Sequence, residues 1–311
     1  MVDAPVSAVL ATVVITTKNR KEELRQAIRS ALDQDVPIEV LVIDDGSTDG
    51  TSAMVRQEFP SVRLERAEVS RGLIVQRNHG AQLAAGPVIF SIDDDAAFTT
   101  PRIVRHTLAE FDHPRVGAVA IPFINVKQDQ VVRQKAPNAS EIYVSASYIG
   151  TAHAVRRDLF RKFGGYREYL FHQNEEADFS IRMLNAGYLV RVGSADPIHH
   201  FESPRRDNKR IIHYGRRNDV LYAWHNVPMP YLLPHMAMTT YRGVMFGLRK
   251  RRVMSDIVGL TKGYAACFHE FRNRLPVRAV VYRLSRELKR RGMVPMREVE
   301  ERFPEVVSTK S

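Results

Sequence analysis

Short apolar runs alternate with stretches of helical spacing over the first two thirds of the chain. Thr12 to Thr17 is β-branched and reads as a strand, and Glu22 to Leu32 places Leu24, Ala27, Ile28 and Ala31 on one helical face. Val40 to Ile43 forms a second buried strand, Thr51 to Phe59 a helix, Val62 to Leu64 a third strand, and residues 74 to 84 another helix. Val88-Ile89-Phe90 then delivers Asp93-Asp94-Asp95 at its C-terminal end. Strand and helix in strict alternation predict an α/β, Rossmann-like fold: a mostly parallel central sheet with helices on both faces.

Further on, Val116 to Ile124 and Ser147 to Val155 read as strands, separated by a polar excursion over Lys127 to Pro137. Arg157 to Phe163 is a short helix closed by Gly164-Gly165. Glu175 to Asn185 carries helical spacing and stops at Gly187, a good C-terminal cap, before a strand over Tyr188 to Val192. Beyond about residue 207 the pattern becomes helical and rich in arginine. We therefore expect one α/β unit over 1–206, in two parts over about 10–100 and about 101–206. A basic helical region is expected over 207–311.

Composition changes this picture in two places. With 44% hydrophobic and 26% charged residues in 311, the chain is a folded one, and its single Cys267 excludes an internal disulfide and a cysteine-rich zinc site. The net charge of +11 is concentrated: residues 242–291 hold 14 Lys/Arg against Asp256, Glu270 and Glu287, so this one segment accounts for the whole excess. Arginines interleaved with Val244, Phe246, Leu248, Val253, Ile257 and Leu260 suit an anionic membrane surface. No recognisable nucleic-acid motif accompanies the charge, so no nucleic-acid partner is expected. No basic segment precedes the opening apolar stretch and no apolar run reaches membrane-spanning length. These features lead us to expect a cytoplasmic protein, peripheral on the cytoplasmic face of a membrane.

The chemistry concentrates where strands end. Ligands of such sheets bind outside the carboxyl ends of the strands. Here three of those ends carry polar groups: Thr16-Thr17-Lys18-Asn19-Arg20, Asp44-Asp45 and Asp93-Asp94-Asp95. Adjacent carboxylates repel one another and cost hydration when buried, so the last run calls for a cation, and hard oxygen donors suit Mg²⁺ or Mn²⁺. A solvated acidic turn is the alternative reading of that run, and Asx-Gly turn chemistry the alternative for Asp44-Asp45.

Five ordered stretches together resemble an inverting family 2 glycosyltransferase with the GT-A fold, across roughly residues 10 to 220. They are Val14 to Arg20, Ile43 to Thr51, Arg71-Gly72 with Arg77-Asn78-His79-Gly80, Asp93-Asp94-Asp95, and Gly164-Gly165-Tyr166 followed by Glu175-Glu176-Ala177-Asp178-Phe179 and Arg182. The resemblance implies transfer of a sugar from a UDP- or dTDP-sugar to a glycan or lipid-linked acceptor hydroxyl, such as a rhamnosyl or hexosyl transfer in polysaccharide biosynthesis. It places Thr16, Thr17, Asn19, Arg20, Asp44, Asp45, Arg71, Arg77, Asp93 and Asp94 around the donor, with Asp45 accepting from a ring N–H of the base. It assigns Asp95 and Asp93 to the metal, joined by a histidine of the His199-His200 pair, His199 being favoured. The base is expected at Glu176, where the family usually has Asp, with Glu175 beside it; Asp178, His200 and Arg217 are placed toward phosphate or acceptor. A sugar-phosphate nucleotidyltransferase and a non-catalytic membrane scaffold of the same fold are the competing expectations.

Overall fold

The computed structural model describes residues 9–202 and 208–306, with the side chains of 208–213 outside the description. Residues 207 and 307–311 of the expected C-terminal region thus lie outside the described residues. The opening half alternates as the hydrophobic pattern requires: β1 (Ala11–Thr17), α1 (Lys21–Leu32), β2 (Ile38–Asp44), α2 (Thr51–Glu58), β3 (Arg63–Arg66), α3 (Leu73–Leu83) and β4 (Val88–Asp93). Then come β5 (Ala96–Ala97), α4 (Ile103–Ala109), β6 (Val116–Ala120), β7 (Phe123–Asn125), β8 (Val132–Arg133), β9 (Tyr143–Ser145), β10 (Ala152–Arg156) and α5 (Arg157–Lys162). After these lie α6 (Glu175–Asn185), β11 (Leu189–Val192) and β12 (Ile198–His200). The C-terminal part adds α7 (Asn208–Asn226), α8 (Leu232–Arg249), α9 (Val253–His269), α10 (Ala279–Arg291) and β13 (Val294–Pro295).

The central sheet runs β13-β9-β11-β6-β10-β4-β1-β2-β3. Strands β3, β2, β1 and β4 are parallel throughout, whereas β10 enters antiparallel against both β4 and β6. Buried faces on both sides explain why β1 and β4 read as continuous apolar runs. Helix α3 lies tight on the sheet because residue 80 is glycine: a methyl there would meet Val14 at 2.5 Å and Ile43 at 3.2 Å. A second sheet, β5-β12-β7-β8, sits over the C-terminal end of β4. Its β12 pairs with β5, so that His200 lies opposite Ala96 and His199 opposite Ala97.

The expected boundary at residue 206 is corrected. Strand β13 joins the central sheet through β9, and Val277, Val281, Leu284, Leu288, Met296 and Phe303 pack in one cluster with Val116, Val119, Ile181 and Leu189. The strand over 147–155 is also shorter than its apolar pattern, beginning at Ala152. Residues 147–151 turn instead toward Arg77 and Asp93, where Gly150 offers its carbonyl and Thr151 its hydroxyl. Among the described residues no helix is long and apolar enough to cross a membrane.

Because Leu288 is buried against the catalytic half, Leu288→Ala should cost about 2–5 kcal/mol. Chemical denaturation should show this as a lowered midpoint of one transition; a separate C-terminal transition with the main one unmoved would contradict the shared core.

Candidate active site

The register of β1 with its neighbours lines up the strand ends: Thr17 pairs with Asp44 and Thr16 with Asp93. The acidic groups in this row do different things. Asp44 is fully buried and accepts from Ser47 N at 2.8 Å and from the Ser52 hydroxyl, so it shapes its own turn. Asp45 accepts from Gln76 Nε2 (2.7 Å), Ser70 Oγ (2.6 Å), Arg71 N (2.7 Å) and Gly72 N (3.1 Å). Burial alone would raise its pKa, but these donors outweigh burial and lower it. Four donors fill a carboxylate's acceptor positions. The expectation that Asp45 takes a ring N–H is therefore corrected: it pins the 70–76 segment to β2, as Asp44 holds the 47–52 turn. Asn19 ties the first loop to the same turn, its N donating to Ser47 Oγ at 2.9 Å and its Oδ1 accepting from Thr48 N at 2.7 Å.

Arg20, expected on the donor, is instead spent on the acidic run. Its guanidinium lies 2.7 Å from Asp94 and 3.2 Å from Asp95, and Thr17 Oγ1 donates to Asp94 at 2.8 Å. Burial pushes the Asp94 carboxyl up to about 7 against the pull of Arg20. Asp94 thus packs beneath the site; Asp95 is equally buried, and Asp93 is the partly exposed member of the run. Asp93, Asp95 and His200 bring one ligand atom each within 4.8 Å of one another. His200 Nε2 lies 3.2 Å from Asp95 and 3.9 Å from Asp93.

The preference for His199 is overturned by the pleat. Successive side chains of β12 face opposite ways, so only one of the pair turns toward Asp95, and that one is His200. His199 packs against Phe201. His200 Nδ1 sits 2.6 Å from Asn125 Oδ1. An amide oxygen only accepts, so Nδ1 is the donor to Asn125 and Nε2 is the ring nitrogen turned toward the carboxylates. Outer contacts of this kind orient metal-ligating histidines, and two carboxylates with one imidazole fit a divalent cation. Asn125 had no sequence signal; its place depends on β7 pairing with β12.

Arg77 stands between this cluster and the second group of acids. Its Nη2 donates to Asp93 at 2.8 Å and to the Gly150 carbonyl at 3.2 Å, and its Nη1 lies 3.3 Å from Glu175 and 3.6 Å from Glu176. With only 5% of its side chain exposed, Arg77 is not a free phosphate ligand as expected. Burial works against its charge, but Asp93, Glu175 and Glu176 outweigh burial and raise its pKa. One guanidinium cannot neutralise three carboxylates. Burial and the adjacent Glu175 accordingly push Glu176 up to about 8, and burial raises Glu175 as well.

The turn before α6 is held in unusual backbone: Phe171, Gln173 and Asn174 all have positive φ. Asn218 holds it, with Nδ2 at 2.8 Å from the carbonyls of Leu170, His172 and Gln173. Arg217 donates to the Tyr169 carbonyl at 2.8 Å and stacks over Phe171. Asp178 is buried among Arg167 (2.5 Å), Arg182 (3.0 Å) and Asn226 (2.7 Å). Both residues, placed toward phosphate or acceptor by the sequence, instead fix the loop and helix that present Glu176. Arg71 is exposed, its backbone N–H bonded to Asp45.

The family model described as "Glycosyl transferase family 2" matches residues 12–173. The chain is 33% identical over 94 residues to the succinoglycan biosynthesis protein ExoU of Rhizobium meliloti, covering 29% of this chain and 28% of that one. It is 27% identical over 268 residues to the N-acetylglucosaminyl-diphospho-decaprenol L-rhamnosyltransferase of Mycobacterium tuberculosis, covering 70% and 86%. Among solved structures, Staphylococcus aureus TarS (residues 1–349) in complex with UDP superposes with TM-score 0.59 at 19% identity, over 76% of this chain and 72% of that chain. The mannosyltransferase PcManGT from Pyrobaculum calidifontis, in complex with GDP-Man and Mn²⁺, gives 0.54 at 18%, over 84% and 74%.

Gly150 leaves room for these carboxylates. A methyl on it would lie 2.1 Å from Glu176 Oε1 and 2.8 Å from Arg77 Nη1. Gly150→Ala should therefore lower the melting temperature, because the methyl crowds Glu176 and the buried Arg77, and sugar transfer should fall about a hundredfold, the scale of a lost general base. Unchanged turnover in the variant would contradict this placement of Glu176.

Proposed function

The chain belongs to glycosyl transferase family 2 and is a glycosyltransferase, and we propose that it inverts the anomeric carbon as it moves a sugar from a nucleoside-diphosphate donor to a glycan or lipid-linked acceptor hydroxyl. What carries this reading is the single guanidinium of Arg77, which joins Asp93 of the cation cluster to Glu175 and Glu176. The candidate cation site and the candidate base thus share one guanidinium. Asp93, Asp95 and His200 would hold Mg²⁺ or Mn²⁺, which would supply positive charge to offset that on the leaving nucleoside diphosphate. Glu176 takes the acceptor hydroxyl's proton onto a carboxylate oxygen as that hydroxyl's oxygen forms the new bond to the anomeric carbon. The donor's C–O bond breaks on the far face, with its electrons leaving on the phosphate.

Relatives supply the substrate classes. TarS is described with UDP and with UDP-GlcNAc, PcManGT with GDP-Man and Mn²⁺, and the mycobacterial relative by an L-rhamnosyl transfer to a diphospho-decaprenol acceptor. We expect a UDP- or dTDP-sugar. Because PcManGT is described with GDP-Man, a donor panel should include GDP-sugars as well. Incubation with Mn²⁺ should release nucleoside diphosphate from one donor and stop on adding EDTA. Metal-independent release would overturn the cation assignment.

Glu176→Gln should lower kcat by about 10²–10⁴. Its pKa near 8 sets the sign of two pH effects. A base must be deprotonated, so activity rises with pH and levels off above about 8. The folded carboxyl also binds its proton more tightly than in the unfolded chain. Its contribution to stability is therefore fully present below about pH 4.5 and lost as pH rises through about 8. Glu176→Gln should consequently melt higher than wild type at pH 8.5 and not at pH 4.5; a lower melting temperature at pH 8.5 would contradict the buried-base assignment.

We further propose that helices α8 and α9 rest on an anionic membrane surface at the cytoplasmic face. They expose Leu233, Leu248, Met254 and Phe268 beside Arg249 and Lys250. The protein should sediment with anionic and not with neutral liposomes, and Met254→Asp with Phe268→Asp should weaken this. Equal recovery with both vesicle types would dispose of the membrane reading.

A further inference from the structure

A groove of about 870 Å³ opens between α6, α7, α8 and α10. Asn174 and Ala177, which flank Glu175 and Glu176 in sequence, form its inner wall. Its remaining lining carries six cations: Arg216, Arg242, Arg283, Arg286, Lys289 and Arg290. Two of these are occupied, Arg216 by Asp219 and Asp256 and Arg283 by the Tyr231 hydroxyl. Among the described residues Arg242, Arg286, Lys289 and Arg290 form no ion pair with a carboxylate. The groove's own acids do not supply one: Asp219 is taken by Arg216 and Asn174, and Glu287 by Arg291 and Arg302. The field is strong enough to show on a neutral group. Burial first, then Arg286, Lys289 and Arg242, push the His235 imidazole down to about 4.

Four cations with no carboxylate partner around a concave wall attract an anion, and Asn174 and Ala177 in that wall set it beside the helix start that carries Glu176. We propose that this groove is the subsite for the phosphate or diphosphate group of a phosphorylated acceptor, holding it so that the acceptor's sugar hydroxyl reaches Glu176. The proposal rests on the transfer reading above and names its acceptor class: a sugar esterified to diphosphate. The arginines suit the task because a guanidinium fork meets two phosphate oxygens at once. Asn174 couples groove to base, since its Nδ2 donates to Asp219 at 2.9 Å while its backbone begins the turn that delivers Glu175.

The test compares two acceptors, an alkyl diphosphate-linked sugar and the same sugar as an alkyl glycoside without phosphate. Wild type should prefer the diphosphate acceptor in KM, and Arg242→Gln with Arg286→Gln, both exposed, should narrow that preference about tenfold, the scale of one charge-assisted contact. Arg249→Gln with Lys262→Gln, outside the groove, serves as the control for charge alone and should leave the preference intact. Equal narrowing by both pairs, or none by either, would overturn the subsite. Inorganic pyrophosphate titrated in EDTA gives a reading that needs no transfer. Wild type and Asp95→Asn should bind it and the Arg242/Arg286 variant should not. Binding lost in that variant with no transfer to any acceptor would sustain the groove and sink the transfer reading. Transfer with an unaltered acceptor preference would do the reverse. If the Arg242/Arg286 variant lost only its sedimentation with anionic liposomes, the groove would belong to lipid headgroups and the proposal would fall.

Discussion

The site depends on one buried cation. Arg77 comes from α3, and its guanidinium touches Asp93 at the end of β4, the Gly150 carbonyl before β10, and the two glutamates that begin α6. These elements are far apart in sequence, and although β4 and β10 pair in the sheet, α3 and the start of α6 meet them at this guanidinium. A charge buried this deeply is stable only while paired, and stripping one partner from such a pair typically costs about 3–5 kcal/mol. The same constraint shapes the chemistry. Burial first, and then the neighbouring Glu175 that one guanidinium does not neutralise, raises Glu176 toward the range where a base works near neutral pH.

Around that centre the polar groups divide into those that gather at it and those that hold the surrounding loops. Asp93, Asp95, His200 and Glu176 gather there. Asp44, Asp45, Asp94 and Asp178 are buried in hydrogen bonds that shape the loops carrying the first set. Asn218 and Arg217 do the same for the strained turn before α6. Backbone held in sparsely populated regions persists only where its surroundings over-determine it, and here three carbonyls of one turn converge on a single amide.

Much of this was legible in the sequence. The β-branched runs and helical spacings foretold β1 to β4 and α1 to α3 nearly to the residue, because buried parallel strands and amphipathic helices each carry their own period. The acidic strand ends and the Glu175-Glu176 helix start pointed to the cleft. What the linear pattern lacked was direction. It could not say that Asp45 and Arg20 would be consumed by neighbours, since their partners at 70–76 and 94–95 meet them only after the sheet forms. Nor could it choose between His199 and His200, because that depends on how β12 pairs with β5, a two-residue strand with no hydrophobic signature. The boundary at 206 failed for a similar reason: arginines masked the apolar stripe of α10, and Val294-Pro295 is too short to read as a strand.

The central claim is that cation site and base are two ends of one cleft held at a fixed separation. A crystal grown with Mn²⁺ and a nucleoside diphosphate, measured for anomalous scattering, tests it most directly. The account predicts a single strong manganese peak coordinated by Asp93, Asp95 and His200 Nε2, with the diphosphate against it and Glu176 facing the open side. A peak on His199, on Asp44 or Asp45, or on the glutamates of α6 would contradict it.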